Sequence, residues 1–97
     1  METTKMNFVA LRKSMVSTIL SGSEDRNALE WVVTSLWMTW TALDELYHNE
    51  SMYWCVSSFA ESLYYNLPED WDRYRIVCKI TKVGKREYEV EEIKVAD

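Results

Sequence analysis

The chain has 97 residues and a formal net charge of −5, with 47% apolar and 28% charged residues. That is room for one hydrophobic core and not a second, in the composition range of globular and not of disordered chains. The charge is unevenly placed: residues 1–21 carry +2, residues 22–72 carry −9, residues 73–86 carry +6 and residues 87–97 carry −4. An acidic body disfavours general nucleic-acid binding and favours basic partners or plain solubility.

The first element predicted is a helix at about residues 4–20. Phe8, Leu11, Met15 and Ile19 recur at spacings of three and four, one apolar stripe of a 3.6-residue period. Ser21-Gly22-Ser23 ends it, with Gly22 suited to the left-handed position after a helix and Ser23 to capping the next. A second helix is predicted at about 24–48, with Leu29, Val33, Leu36, Trp40, Leu43 and Tyr47 as its seam. A third is predicted at about 51–65, with Met52, Val56, Phe59 and Leu63 facing inward, and Asn66-Leu67-Pro68 ends it because a residue before proline leaves the helical region.

After Pro68 the period changes to two. Tyr74, Ile76, Cys78 and Ile80 alternate with Arg75, Val77 and Lys79, and Tyr88 and Val90 resume the pattern, so strands are predicted at about 73–82 and 86–95. A three-residue loop, Val83-Gly84-Lys85, pairs Ile80 with Tyr88 and Cys78 with Val90 and sets Lys79 opposite Glu89. The phase slip before Ile93 and Val95 implies a β-bulge near Glu91-Glu92. The expected fold is a single α+β domain over residues 1–97, three helices followed by a C-terminal antiparallel β-hairpin packed on them. No internal repeat, low-complexity segment or linker interrupts it.

Residues 31–43, WVVTSLWMTWTAL, hold three tryptophans and no charge. A bilayer span needs about 20 apolar residues, so this run does not cross a membrane. On a helix it is apolar on two sides: the seam above, and a back face of Trp31, Ser35, Met38 and Ala42. That face is covered by this chain, is an interface with another chain, or lines a ligand pocket. The third reading lacks the converging polar groups that a pocket uses. Thirteen aromatic residues are more than a core of this size encloses, so some rings are expected at the surface, where a contiguous group would mark a partner site.

No arrangement points to chemistry or to a cofactor. His48 is the only histidine and lies beside Asp44 and Glu45, without a nucleophile at a spacing that suggests a dyad. One histidine and two separated cysteines give no zinc pattern, and Glu69-Asp70-Asp72 lacks the ligand spacing and glycine of a calcium loop. Cys55 and Cys78 are expected as free thiols of a cytoplasmic protein, since METTKMNF does not read as a signal peptide. Helices before a basic hairpin suggest a winged helix-turn-helix, but the would-be reading helix, MYWCVSSFAESLYYN, has no lysine or arginine for phosphates or base edges.

The sequence therefore reads as a non-enzymatic protein-binding module. Its candidate contacts are the Trp31, Ser35, Met38, Ala42 face and an acidic body of Asp44, Glu45, Glu50, Glu61, Glu69, Asp70 and Asp72. The expected partner is a protein with a basic, nucleic-acid-binding surface that the module occludes, in the manner of phage or mobile-element anti-defence inhibitors of the anti-CRISPR type. That likeness is one of character only. One alternative is a homodimeric accessory subunit joined through the Trp31/Met38 face. The other is a nucleic-acid-associated regulator using a basic patch of Arg73, Arg75, Lys79, Lys82, Lys85 and Arg86.

Overall fold

The computed structural model describes residues 3–21, 26–57 and 60–95, and for residues 26–33 the backbone alone. The expected Gly22 and Ser23 caps and the Phe59 contact fall outside the described residues. The α+β class stands, but three helices and a hairpin do not. Among the described residues there are two helices and a five-stranded antiparallel sheet. In chain order they are β1 (Thr3–Asn7), α1 (Phe8–Leu20), α2 (Arg26–Asp44), β2 (Ser51–Val56), β3 (Glu61–Tyr64), a 3-10 turn at Trp71–Arg73, β4 (Ile76–Gly84) and β5 (Glu87–Lys94). The strand order across the sheet is β1-β5-β4-β2-β3.

The first correction is at the N-terminus. The stretch assigned to the start of a helix is β1, paired with β5 so that Met6 lies opposite Tyr88 and Thr4 opposite Val90. The helix begins where its stripe begins, at Phe8, because Asn7 caps it: the Asn7 Oδ1 accepts from the Ala10 N–H at 2.8 Å. An Asn at this position satisfies one of the orphan donors of the first turn. Phe8, Leu11, Met15 and Ile19 are the buried residues of α1, as the spacing implied.

The second correction is larger. The third helix, expected over 51–65, is the β2–β3 pair, with Trp54 opposite Leu63 and Val56 opposite Glu61. Tyr53, Trp54, Cys55 and Val56 are types that suit a pleated surface. Met52, Trp54 and Val56 turn to the helices, while Cys55, on the other face, is also fully buried. Residues 65–75 cross that other face: the Tyr74 hydroxyl meets that of Tyr64 at 2.9 Å, and the Arg75 N–H reaches the Val56 carbonyl. A strand buried on both faces loses the polar alternation that marks a strand in sequence.

The hairpin lies where expected, with its register moved by two. Ile80 pairs with Val90, Lys82 with Tyr88 and Lys79 with Glu91. The turn is Lys85-Arg86, with Arg86 in the left-handed region at φ 55°, and Val83 is the extra residue between Lys82 and Gly84. A shift of two keeps every side chain on its face, so Tyr88 and Val90 are still buried with Cys78 and Ile80. The expected bulge falls at Ile93, unpaired between Glu92 and Lys94.

Both helices lie on one face of the sheet, over Met6, Tyr88, Val90, Cys78, Ile80, Met52, Trp54 and Leu63. α2 runs to Asp44 rather than to 48, and its end is fastened to the hairpin. The buried Tyr88 hydroxyl donates to the Leu43 carbonyl at 2.9 Å, and the Lys82 Nζ donates to the Asp44 carbonyl at 2.6 Å. These are donors for carbonyls that no longer have a helical partner. The central position of this core is Ile80, fully buried. Ile80→Ala is expected to lower unfolding free energy by about 2–5 kcal/mol, and Val9→Ala on the exposed side of α1 by less than about 0.5 kcal/mol, read from urea unfolding midpoints at constant slope.

Candidate functional site

The contact that places the candidate surface is a carboxylate between α2 and the sheet. Glu61 begins β3, opposite Val56. Its two oxygens receive the Thr39 hydroxyl at 2.8 and 2.9 Å, the Trp54 Nε1–H at 2.7 Å and the Ser35 hydroxyl at 3.3 Å. Donors to an ionised acceptor make stronger hydrogen bonds than neutral pairs do. Thr39 is buried among apolar neighbours, so its hydroxyl would cost free energy without this partner.

This contact rotates α2 from its expected pose. The predicted seam centred on Leu36, Trp40, Leu43 and Tyr47. Among the described side chains those buried are Leu36, Thr39 and Leu43 on α2, with Leu46 just after it, a centre displaced by roughly 60° at 100° per residue; Leu29 and Val33 of the predicted seam lie outside them. Trp40 is half-buried and Tyr47 is 79% exposed. Ser35 and Ala42, assigned to the back, face β3 across a groove lined by Met38, Met52, Glu61, Ser62 and Leu63. Their small size serves close approach of α2 to this chain's own strand. Met38 stands at the rim, 78% exposed. The Trp31 side chain lies outside the described residues.

The rotation also exposes a residue that the sequence reading passed over. Trp37 is 66% exposed on the outer side of α2. Thr41 and Asp44, four and seven residues on and both exposed, share its side, and the exposed Glu45 follows just past the end of the helix. Thr41, its hydroxyl turned back to the Trp37 carbonyl at 2.9 Å, is the kind of residue that marks an outer face. The signal was present in the flanking hydroxyls, and tryptophan's hydropathy outweighed it.

The remaining acids do not form one surface. Glu50 accepts from the Tyr47 N–H at 3.3 Å, Glu61 is turned inward, and the exposed Glu69, Asp70 and Asp72 lie in the crossing segment 65–75. That segment is held at its far end by Lys94 Nζ donating to the Asp72 carbonyl. The six cations are also dispersed. Lys82 holds the end of α2 and Lys79 sits beside Glu91 on the sheet face away from the helices. Arg75 is half-buried at the start of β4, Arg73 is in the 3-10 turn, and Lys85 is in the hairpin turn. The Arg86 guanidinium lies 4.6 Å from the Phe8 ring centre and 3.9 Å from Asp44.

A second apolar surface runs along α1 and is lined by Val9, Val16, Leu20 and Trp40, with Arg12 and Lys13 at its side. The Arg12 guanidinium covers the Trp40 ring at 4.5 Å, a cation–π contact. His48 is exposed. Among the described residues no three His, Cys, Asp or Glu side chains are grouped to hold a metal, and no helix is long and apolar enough to cross a membrane. Cys55 and Cys78 are both free and buried. Cys78 lies opposite Trp54 and Val77 opposite Cys55, so the two thiols sit on opposite faces of adjacent strands, where no disulfide can join them. No protein family, no curated protein and no solved structure matches the chain.

Two outcomes check this geometry. Glu61→Ala is expected to cost about 1–3 kcal/mol by stranding Thr39 and Trp54; Thr39→Val in that background should recover part of the loss, a negative coupling read from a double-mutant cycle. Burial pushes the Cys55 thiol up to about 11 and the Cys78 thiol up to about 12. Their neutral forms therefore favour the fold below the unfolded value of 9.0, and that contribution is lost as pH rises through about 11 to 12. At pH ~8, labelling by a disulfide reagent should proceed at the rate of opening and not at that of a free thiol.

Proposed function

We propose that the chain is a small, non-enzymatic protein-binding module of the cytoplasm that occludes a basic surface of a larger, nucleic-acid-binding protein. The observation that carries this reading is the uncovered Trp37 on the outer side of α2, two turns from the exposed Asp44 and Glu45. A basic surface arriving there meets an aromatic face and, two turns further along the helix, carboxylates, each a group that pairs with arginine at protein interfaces. Asp44 is already near Arg86, but that pair is long and about half exposed on both sides, so a partner's cation displaces it at little cost. Tyr47 adds a second exposed ring at the same end of α2. Two thiols kept free are consistent with a reducing compartment.

The acidic contribution to this surface comes from Asp44 and Glu45. The regulator alternative needs cations on one surface, and several of these hold the fold: Lys82 serves the α2 terminus and Arg86 stacks on Phe8.

The test is binding to a partner captured with the tagged chain and then purified. Trp37→Ser and the pair Asp44→Lys/Glu45→Lys are each expected to weaken binding by about 30-fold or more while moving the unfolding free energy by less than about 0.5 kcal/mol. Retained affinity in both sinks the proposal. Titration with short duplex and single-stranded nucleic acid at low salt, where phosphate contacts are strongest, is expected to give no binding; saturable binding there would favour the regulator.

A further inference from the structure

The side of the molecule formed by α2 and β3 differs in charge from the rest. Residues 31–43, 51–60 and 62–68 contain no ionisable acid or base of the Asp, Glu, Lys or Arg type. α2, β2 and β3 bring described residues of all three stretches together at one edge of the sheet. Glu61, the acid between the last two, is turned inward onto Thr39, Ser35 and Trp54. The opposite edge is unlike it: β1 exposes Lys5, and its neighbour β5 carries Glu87, Glu89, Glu91 and Glu92.

Among the described residues β3 is paired on one side only, by β2. The alternation of an antiparallel ladder tells which of its groups face outward. The Ser57 N–H bonds to the Ala60 carbonyl, so the pairs two and four steps on, Cys55/Ser62 and Tyr53/Tyr64, are those that exchange hydrogen bonds. Glu61 and Leu63 belong to the other class, and their N–H and C=O groups point to the open edge. Natural sheets protect such an edge with lysine, proline, a bulge or an inward-pointing charge that water must reach. β3, ESLY, has no lysine or proline, its register with β2 is regular, and its one charge is already satisfied.

We propose that β3 is completed by the β3 of a second copy of this chain. The strands pair antiparallel about Leu63, so that each Leu63 exchanges N–H and C=O with the other, and Met38 of each α2 closes over the seam. Opposite residues of an antiparallel pair share a face, so Leu63 meets Leu63 below the two Met38 side chains. Ser62 meets Tyr64 on the far side, and Glu61 is kept away from its symmetry mate. Two bodies of charge −5 repel, and this is the edge at which they can approach without setting like charges together. A hetero-partner selected by charge would instead seek Asp44 and Glu45, about two turns along α2 from Met38. The contact is two-fold and closes on itself, so it stops at a dimer. Four strand residues with Met38, Tyr65 and Leu67 offer less than the roughly 800 Å² per partner of a standard interface, which sets the expected affinity in the micromolar range.

The experiment is sedimentation of the full chain from about 1 to about 100 µM, a span that brackets such an affinity. The expected mass rises to twice the 11.5 kDa of one chain, and hydrogen exchange at the Glu61 and Leu63 amides slows in step with it. Met38→Lys, at an exposed position that cannot unfold the chain, should weaken the dimer at least about 10-fold with an unchanged unfolding midpoint, and Leu63→Lys should abolish it. Because the seam is uncharged and salt screens only the repulsion between two bodies of charge −5, raising the salt should not weaken the dimer. A monomer throughout the range overturns the proposal. So does a dimer that survives Met38→Lys and Leu63→Lys, or one in which those two amides exchange as fast as in the monomer.

Discussion

The orientation of α2 depends on one carboxylate. Glu61 binds Thr39 and Ser35 of the helix and Trp54 of the neighbouring strand, and so ties the edge of the sheet to the middle of the helix. A buried threonine must find a partner, and this acid is the partner that Thr39 finds. Once Thr39 faces inward, 100° per residue leaves no choice for the others. Ala42 and Ser35 turn to β3, Met38 reaches the rim, and Trp37 is left outside. The hydrogen bonds that fix the fold therefore also decide which side chains are offered to a partner.

What was legible in the sequence follows the same physics. β4 and β5 announced themselves because their outer face is polar. Glu89, Glu91 and Lys79 alternate with Tyr88, Val90, Cys78 and Ile80, and even an incorrect register leaves that alternation intact. α1 was legible because one side of it is apolar, and only its start was misplaced, since nothing in Thr3–Asn7 is periodic enough to reveal a five-residue edge strand. β2 was illegible for a definite reason. Cys55 is covered by the crossing segment and Trp54 by the helices, so neither face is polar, and Met52, Val56, Phe59 and Leu63 happen to fall at helical spacing. The rotation of α2 was illegible because Thr39 counts as polar until Glu61 is known to sit opposite it.

The uncharged run 31–43 changes meaning with this geometry. Part of it is core, through Leu36 and Leu43. Part of it serves close packing, through Ser35 and Ala42 against β3. Two of its described residues are large and exposed, on two sides of one helix: Trp37 with Asp44 on one, Met38 beside the open edge of β3 on the other. The first side is aromatic and acidic, and the second is apolar and neutral. Surfaces so unlike in charge favour unlike partners, so the two proposed contacts draw on different side chains.

Exposed Trp37 and Met38 contribute little to the stability of the isolated chain. The inner positions of α2 are taken by Leu36, Thr39 and Leu43, and the Glu61 contact prevents the helix from turning to bury a tryptophan in place of a threonine. Such a turn would gain apolar burial of the order of 1.5–3 kcal/mol. It would also strand the Glu61 carboxylate and the Trp54 indole N–H, a penalty of about 1–3 kcal/mol for each unsatisfied group and more for the charged one. The polar contact wins that comparison. An apolar residue held outside by a stronger constraint inside keeps its burial energy unspent, and contact with another molecule is where that energy can still be gained.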